Sequence, residues 1–117
     1  MENFLQLDVW HKAKSFVCMV YKLTDIFPDT EKFGLISQMR RAAVSVMANI
    51  AEGSKKKSIK EKKYFYEIAD TSLEEVKSYF YLAYDLKYIT QEQGEQLIKV
   101  AREVGGMLCQ LIKNLKY

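Results

Sequence analysis

With 117 residues, 49% of them hydrophobic and 13% aromatic, the chain has the length of one domain and enough core-forming material to exclude an intrinsically disordered segment. No apolar run approaches the roughly 20 residues of a membrane span, and MENFLQLDVW has an early Glu2 and no continuous apolar stretch, so neither a membrane span nor a signal peptide is expected. The net charge of +3 is unevenly spread: Ser37 to Lys63 holds eight Lys/Arg against two Glu, a local +6 that leaves −3 for the remainder, and such asymmetry points to an anionic partner.

A single proline and only five glycines favour long helices. The first is expected from about Asp8 to Ile26. Asp8 is a suitable N-cap, because its carboxylate can accept from the free amides of the first turn. Val9, Ala13, Phe16, Val17, Val20, Leu23 and Phe27 recur at spacings of three and four, an apolar stripe widened by Trp10, Cys18 and Tyr21. Phe27-Pro28 ends it, since the residue before a proline is pushed out of the helical region.

A second helix follows from Glu31 or Gly34 to about Glu52. Leu35, Met39, Ala42, Val46 and Asn49 form one row, and Ile36, Ala43, Met47 and Ile50 a second row beside it. Ala42, Ala43, Ser45, Ala48 and Ala51 are small enough to let a neighbouring helix come close. Asn49 lies on the apolar stripe, and its amide needs hydrogen-bond partners or costs about 1–3 kcal/mol. Gly53 is expected as the stop, in the left-handed conformation that glycine tolerates.

Ser58 and Glu61 have the spacing of a capping box and open a third helix reaching about Leu86. Its stripe is Phe65, Ile68, Ala69, Ser72, Leu73, Val76, Tyr79, Phe80, Ala83 and Leu86, with Tyr64, Tyr66, Tyr81 and Tyr84 outside or beside it. Thr90 and Gln93 form a second capping box. The fourth helix runs from Gln91 to about Asn114 on Leu97, Ala101, Val104, Leu108, Leu111 and Leu115. Gly105-Gly106 in its middle points to a close crossing or a bend. There is no strand pattern and no internal repeat. The expectation is one all-α domain over residues 1–117, an up-down-up-down four-helix bundle. The wide apolar arcs of the first two helices exceed what one bundle core needs, and self-association would bury the surplus.

Three segments resemble a known family. Phe33 to Ser54, FGLISQMRRAAVSVMANIAEGS, looks like the signature of the four helix bundle proteins encoded in intervening sequences of 23S ribosomal RNA genes, which often carry a ribosomal-protein label. The opening LDVWHKAKSFVCMVYKLTDIFP is similar to that family's start, and Tyr64 to Glu75, YFYEIADTSLEE, to its third-helix segment. The resemblance covers nearly the whole chain. Two positions depart from the pattern. Val46-Met47 stands where the family has Ile-Pro, which leaves the second helix fully hydrogen-bonded, and Ser54 stands where it has an aromatic residue. The resemblance implies a ring-like homopentamer. It also implies kinship with the accessory protein of diversity-generating retroelements, which binds a reverse transcriptase and is basic enough to engage nucleic acid.

Residues that could carry chemistry are sparse. His11 is the only histidine. A metal site would lack ligands around it, and no Glu-x-x-His motif or phosphate-binding glycine loop is present. No catalysis, metal or cofactor is therefore expected. Cys18 and Cys109 sit in apolar patterns and read as buried, reduced thiols of a cytoplasmic protein. Arg40 and Arg41 point about 100° apart on their helix. One use is an ion pair at a helix or subunit contact, with Glu52 a candidate for Arg41. The other is phosphate, which a guanidinium grips in bidentate fashion. Lys55, Lys56, Lys57, Lys60, Lys62 and Lys63 are either a solvated face or a contact with the backbone of RNA or DNA. Repeated around a ring, they would bind with a steep salt dependence. Tyr64 and Tyr66 are near enough to stack on bases, or are packing residues. Asn49, Glu52 and Gly53 read as structural or interface positions. The functional expectation is thus a non-catalytic, oligomeric nucleic-acid-binding protein, with a protein-interaction scaffold or accessory subunit of a nucleic-acid enzyme as the alternative.

Overall fold

The computed structural model describes residues 1–115. Four helices dominate it: α1 (Asp8–Thr24), α2 (Leu35–Lys55), α3 (Ile59–Asp85) and α4 (Gln91–Lys113), with single 3-10 turns at Asn3–Gln6 and Asp29–Glu31 and no strand among the described residues. Each helix packs on the next in sequence, and α4 closes against α1. Short connections make those neighbours antiparallel, so the chain is an up-down-up-down bundle of 46 × 23 × 22 Å.

The core is the set of stripes read from the sequence. Val9, Ala13, Phe16 and Val20 of α1 meet Met39, Ala43, Val46 and Ile50 of α2, Leu73, Val76 and Phe80 of α3, and Ala101, Val104 and Leu108 of α4, all buried. Phe16 sets its ring edge-on to Phe80 at 6.0 Å between centroids, a favoured aromatic geometry. Each large side chain buried here contributes about 1.5–3 kcal/mol relative to exposure.

The helix ends differ from expectation in instructive ways. Asp8 is not the cap of α1. Leu7 occupies that position without a side-chain capping bond, and Asp8 falls in the first turn, where the helix dipole still favours a carboxylate. Thr24 ends α1 two residues early; its hydroxyl turns back to the Val20 carbonyl at 2.8 Å. Gly53 does not stop α2. The helix continues to Lys55, and no glycine among the described residues has a positive φ. Gly53 instead lies under the Tyr66 ring, where an added Cβ would stand 2.6 Å from a ring carbon. The glycine is needed for close approach of α2 and α3. Lys56, with φ −67° and ψ 147°, breaks the helix by turning extended.

In α3 the buried row runs through Tyr66, Ala69, Leu73, Val76, Phe80 and Ala83, so Tyr66 takes the core place expected of Phe65, and Leu86 is exposed. Lys87 ends α3 at φ 64°. The Tyr88 amide donates to the Ala83 carbonyl and the Lys87 amide to Tyr84, both at 2.9 Å, which is a Schellman motif with lysine in the usual glycine place. The Thr90–Gln93 capping box of α4 is complete. Gly105 and Gly106 do not interrupt α4 or mark a tight crossing: the helix runs through both, and a Cβ would be in ordinary contact at the first and in open space at the second. Cys18 and Cys109 are both exposed rather than buried, because each falls on the outer side of its helix's apolar stripe.

Candidate nucleic-acid interface

The lysine cluster is built around a three-residue connection, Lys56-Lys57-Ser58, between α2 and α3. The Ser58 hydroxyl accepts from the Glu61 amide at 3.1 Å and donates to its carboxylate at 3.2 Å. Glu61 is thereby turned back onto the cap and makes no ion pair with the lysines among the described residues.

The six lysines divide into two groups. Lys62 donates to the Ser54 and Gly53 carbonyls at 3.0 and 3.4 Å. It satisfies the carbonyls that the end of α2 leaves open. Lys56 sits over the Phe65 ring at 5.2 Å. Lys55, Lys57, Lys60 and Lys63 are exposed and have neither an ion pair nor a hydrogen bond among the described residues, where the ion pairs are Lys12–Glu103, Arg40–Asp25 and Lys77–Glu74. The N-terminal turn closes the same end of the bundle. Asn3 donates from its side chain to the Ser54 carbonyl at 3.2 Å, the Phe4 and Trp10 rings meet tilted at 52° with centroids 4.7 Å apart, and the His11 ring is 2.9 Å from the Leu5 carbonyl.

The two tyrosines near the lysines are separated by the fold. Tyr66 is 3% exposed and Tyr64 61%. Burial pushes the Tyr66 hydroxyl's pKa up. Two residues on a helix are about 200° apart, so seating Tyr66 on Gly53 sends Tyr64 to the outside.

The arginines are elsewhere. Arg40 donates to the Thr24 hydroxyl at 2.8 Å, the Asp25 carboxylate at 2.8 Å and the Tyr21 carbonyl at 3.3 Å, and its guanidinium lies 4.5 Å from the Tyr21 ring centre. It caps α1 and ties it to α2. Arg41 is exposed, beside a groove of about 630 Å³ lined by Phe33, Ile36, Val44 and Ser45. Arg41 and Lys55 are about 21 Å apart along the helix, so α2 carries arginines and lysines to opposite ends. Glu52 is exposed, eleven positions or about 16 Å from Arg41 along the helix, so their expected pairing does not form within one chain. Asn49 finds its partners in the Ser45 carbonyl and hydroxyl at 2.8 and 3.0 Å, and Ser45 in turn meets Ser72 of α3 at 2.8 Å.

The arginine end holds a second lock. Tyr88 donates to Glu31 at 2.8 Å, and Glu31 accepts from the Leu35 amide at 3.2 Å. That first bond raises the Tyr88 pKa. Sequence reasoning missed this contact and the capping role of Lys62. A usable signal existed for the latter, because a lysine one turn into a helix after so short a connection faces the preceding helix's last carbonyls.

No group of three or more His, Cys, Asp or Glu residues that could hold a metal occurs among the described residues, and no described helix is long and apolar enough to cross a membrane. A second groove, of about 730 Å³, lies between α3 and α4 over Phe80, Tyr81, Tyr84 and Ile98.

The arrangement of helices and the signature on α2 both have counterparts among known proteins. The family model described as "23S rRNA-intervening sequence protein" matches residues 5–110. The chain belongs to that family. Among solved structures, it is similar to the crystal structure of a protein with unknown function from the S23 ribosomal protein family of Bacteroides thetaiotaomicron. The TM-score is 0.85 at 25% identity, over 97% of this chain and 100% of that one. No curated protein matches the chain. Neither the description of the 23S rRNA-intervening sequence protein family nor that of its structural relative names a catalytic activity.

Proposed function

We propose that this member of the family is a non-catalytic, cytoplasmic nucleic-acid-binding protein that grips the backbone of RNA or DNA with Lys55, Lys57, Lys60 and Lys63. The observation that carries the reading is the exposure of these four cations on one end of the bundle with no intramolecular partner. Lys56 and Lys62 hold that end in shape. Arg40 is committed to α1, and Arg41 is available only at the far end.

The binding form in this reading is a homo-oligomer, a ring of five copies. Exposed apolar groups lie on opposite faces of the bundle, Phe33 (89% exposed) on the α1–α2 side and Tyr81 and Tyr84 on the α3–α4 side. A head-to-tail contact between unlike faces closes into a ring when the rotation permits. Each copy would add its lysines to one rim, and charge released as counterions would scale with the number of copies in contact.

Binding of RNA and DNA across a salt series tests this. The expected slope of log affinity on log salt is about 3 to 4 per engaged patch, and changing Lys55, Lys57 and Lys60 together to glutamate abolishes binding. Equal affinity in the charge-reversed protein overturns the reading, and light scattering that returns the monomer mass of 13.7 kDa overturns the ring. In that case the 730 Å³ groove between α3 and α4 supports the alternative, an accessory subunit of a nucleic-acid enzyme such as a reverse transcriptase. Capture of that enzyme after nuclease treatment would be its mark.

A further inference from the structure

We infer that the lysine end takes a single strand, with one unpaired base stacked on Tyr64. This deepens the nucleic-acid reading above and rests on it.

Three observations lead there. Tyr64 is a large aromatic side chain left 61% exposed by a helix whose neighbouring aromatic residues are used for packing. Tyr66 is pressed onto Gly53, and Phe65 is half-buried with one side taken by Lys56. Phe65 also meets Tyr64 at 84° and 5.2 Å between centroids. That perpendicular contact braces the Tyr64 side chain against the helix while most of its surface remains in water.

The second observation is placement. Lys60 is one turn before Tyr64 and about 40° from it around the helix, and Lys63 is the adjacent residue at about 100°. An aromatic ring flanked by two unpartnered cations suits a nucleotide, whose base offers a face and whose backbone offers phosphates on either side. Base–aromatic stacking of this kind needs no particular base.

The third is the shortness of the basic track. Beyond Lys63 the exposed positions of α3 turn acidic at Glu67, Asp70, Glu74 and Glu75. A rigid duplex laid along α3 would put its phosphates against those carboxylates. A flexible strand can bend over the end of the bundle and use only the loop and the first two turns. A duplex also keeps its base faces stacked inside, whereas a single strand can splay them out. The site therefore selects for unpaired nucleotides, in loops, bulges or free ends.

The test compares a labelled mixed-sequence single strand, as RNA and as DNA, with a fully paired duplex of equal length, by fluorescence anisotropy. Tyr64→Ala is expected to weaken single-strand binding about five- to a hundredfold while leaving the salt slope and the melting temperature unchanged. Tyr64→Trp is expected to keep affinity and to show tryptophan quenching on binding the single strand. Overturning results are equal affinity of Tyr64→Ala and the parent for the single strand, or tighter binding of the duplex than of the strand by the parent protein. If the lysine-to-glutamate protein loses binding while Tyr64→Ala keeps it, only the stacking inference fails. If neither substitution matters, the nucleic-acid reading fails with it.

Discussion

At the end of the bundle where α1 passes to α2 and α3 to α4, two charged groups are spent on the chain itself, while Lys22, Arg41 and Lys87 are exposed and have no side-chain ion pair or hydrogen bond among the described residues. Arg40 closes the end of α1 through Thr24, Asp25 and Tyr21, and Glu31 joins the Leu35 amide to the Tyr88 hydroxyl. At the opposite end only Lys56 and Lys62 are used in that way, and four lysines project without partners. The difference shows how little a residue type says by itself. The arginine within the family signature is a brace, and four of the plain lysines at the other end have no part in folding. A charge that has intramolecular bonds to lose marks stability. One without them is free of any role in holding the fold.

That division can be broken where the two helices of the lysine end touch. Gly53→Val would drive a branched side chain into the Tyr66 ring and should cost about 3 kcal/mol through overpacking, seen as a lower urea midpoint at an unchanged slope. If the protein keeps its midpoint, the α2–α3 contact is looser than the 2.6 Å clearance implies.

A second comparison sharpens it. Arg40→Ala removes several hydrogen bonds at a partly exposed site and should destabilise by about 1–2 kcal/mol, whereas Lys63→Ala should stay within about 0.5 kcal/mol, as surface changes do. Equal effects from the two would erase the distinction drawn between the ends. The smallest effect is a gain. Lys87 holds a left-handed conformation that glycine adopts without strain, so Lys87→Gly should raise stability by up to about 1 kcal/mol in the same urea assay.

The architecture was legible in the sequence because a 3.6-residue period and two helix caps are local signals, although only the Thr90–Gln93 box is complete and at Ser58 the Glu61 carboxylate meets the hydroxyl rather than the backbone amide. All four helices follow from them, as does Asn49's need for a partner. The errors came from contacts between elements. Gly53 has the composition of a helix stop, yet its role depends on a ring that arrives from α3. Tyr66 and Phe65 both fit the α3 stripe, and only the space over Gly53 decides which goes inside. The candidate site was legible as charge but not as arrangement. Composition does not tell Lys62, facing the open carbonyls of α2, from Lys63, facing water; only the helix phase after the short connection does. Arg40's partners are fifteen to nineteen residues earlier in the chain, where α1 ends at Thr24, two residues before its apolar stripe predicts.

The Lys12–Glu103 ion pair, 2.7 Å across the α1–α4 contact, marks the register of two antiparallel helices. Cys18 lies six residues beyond Lys12 and Cys109 six beyond Glu103, so the two thiols diverge from that point by about 18 Å along the bundle axis. A disulfide spans less than about 7 Å between α-carbons. The native bundle therefore has no internal oxidised form, and any disulfide formed without unfolding joins two molecules. An intermolecular disulfide would thus record any contact that brings the thiols of two copies together.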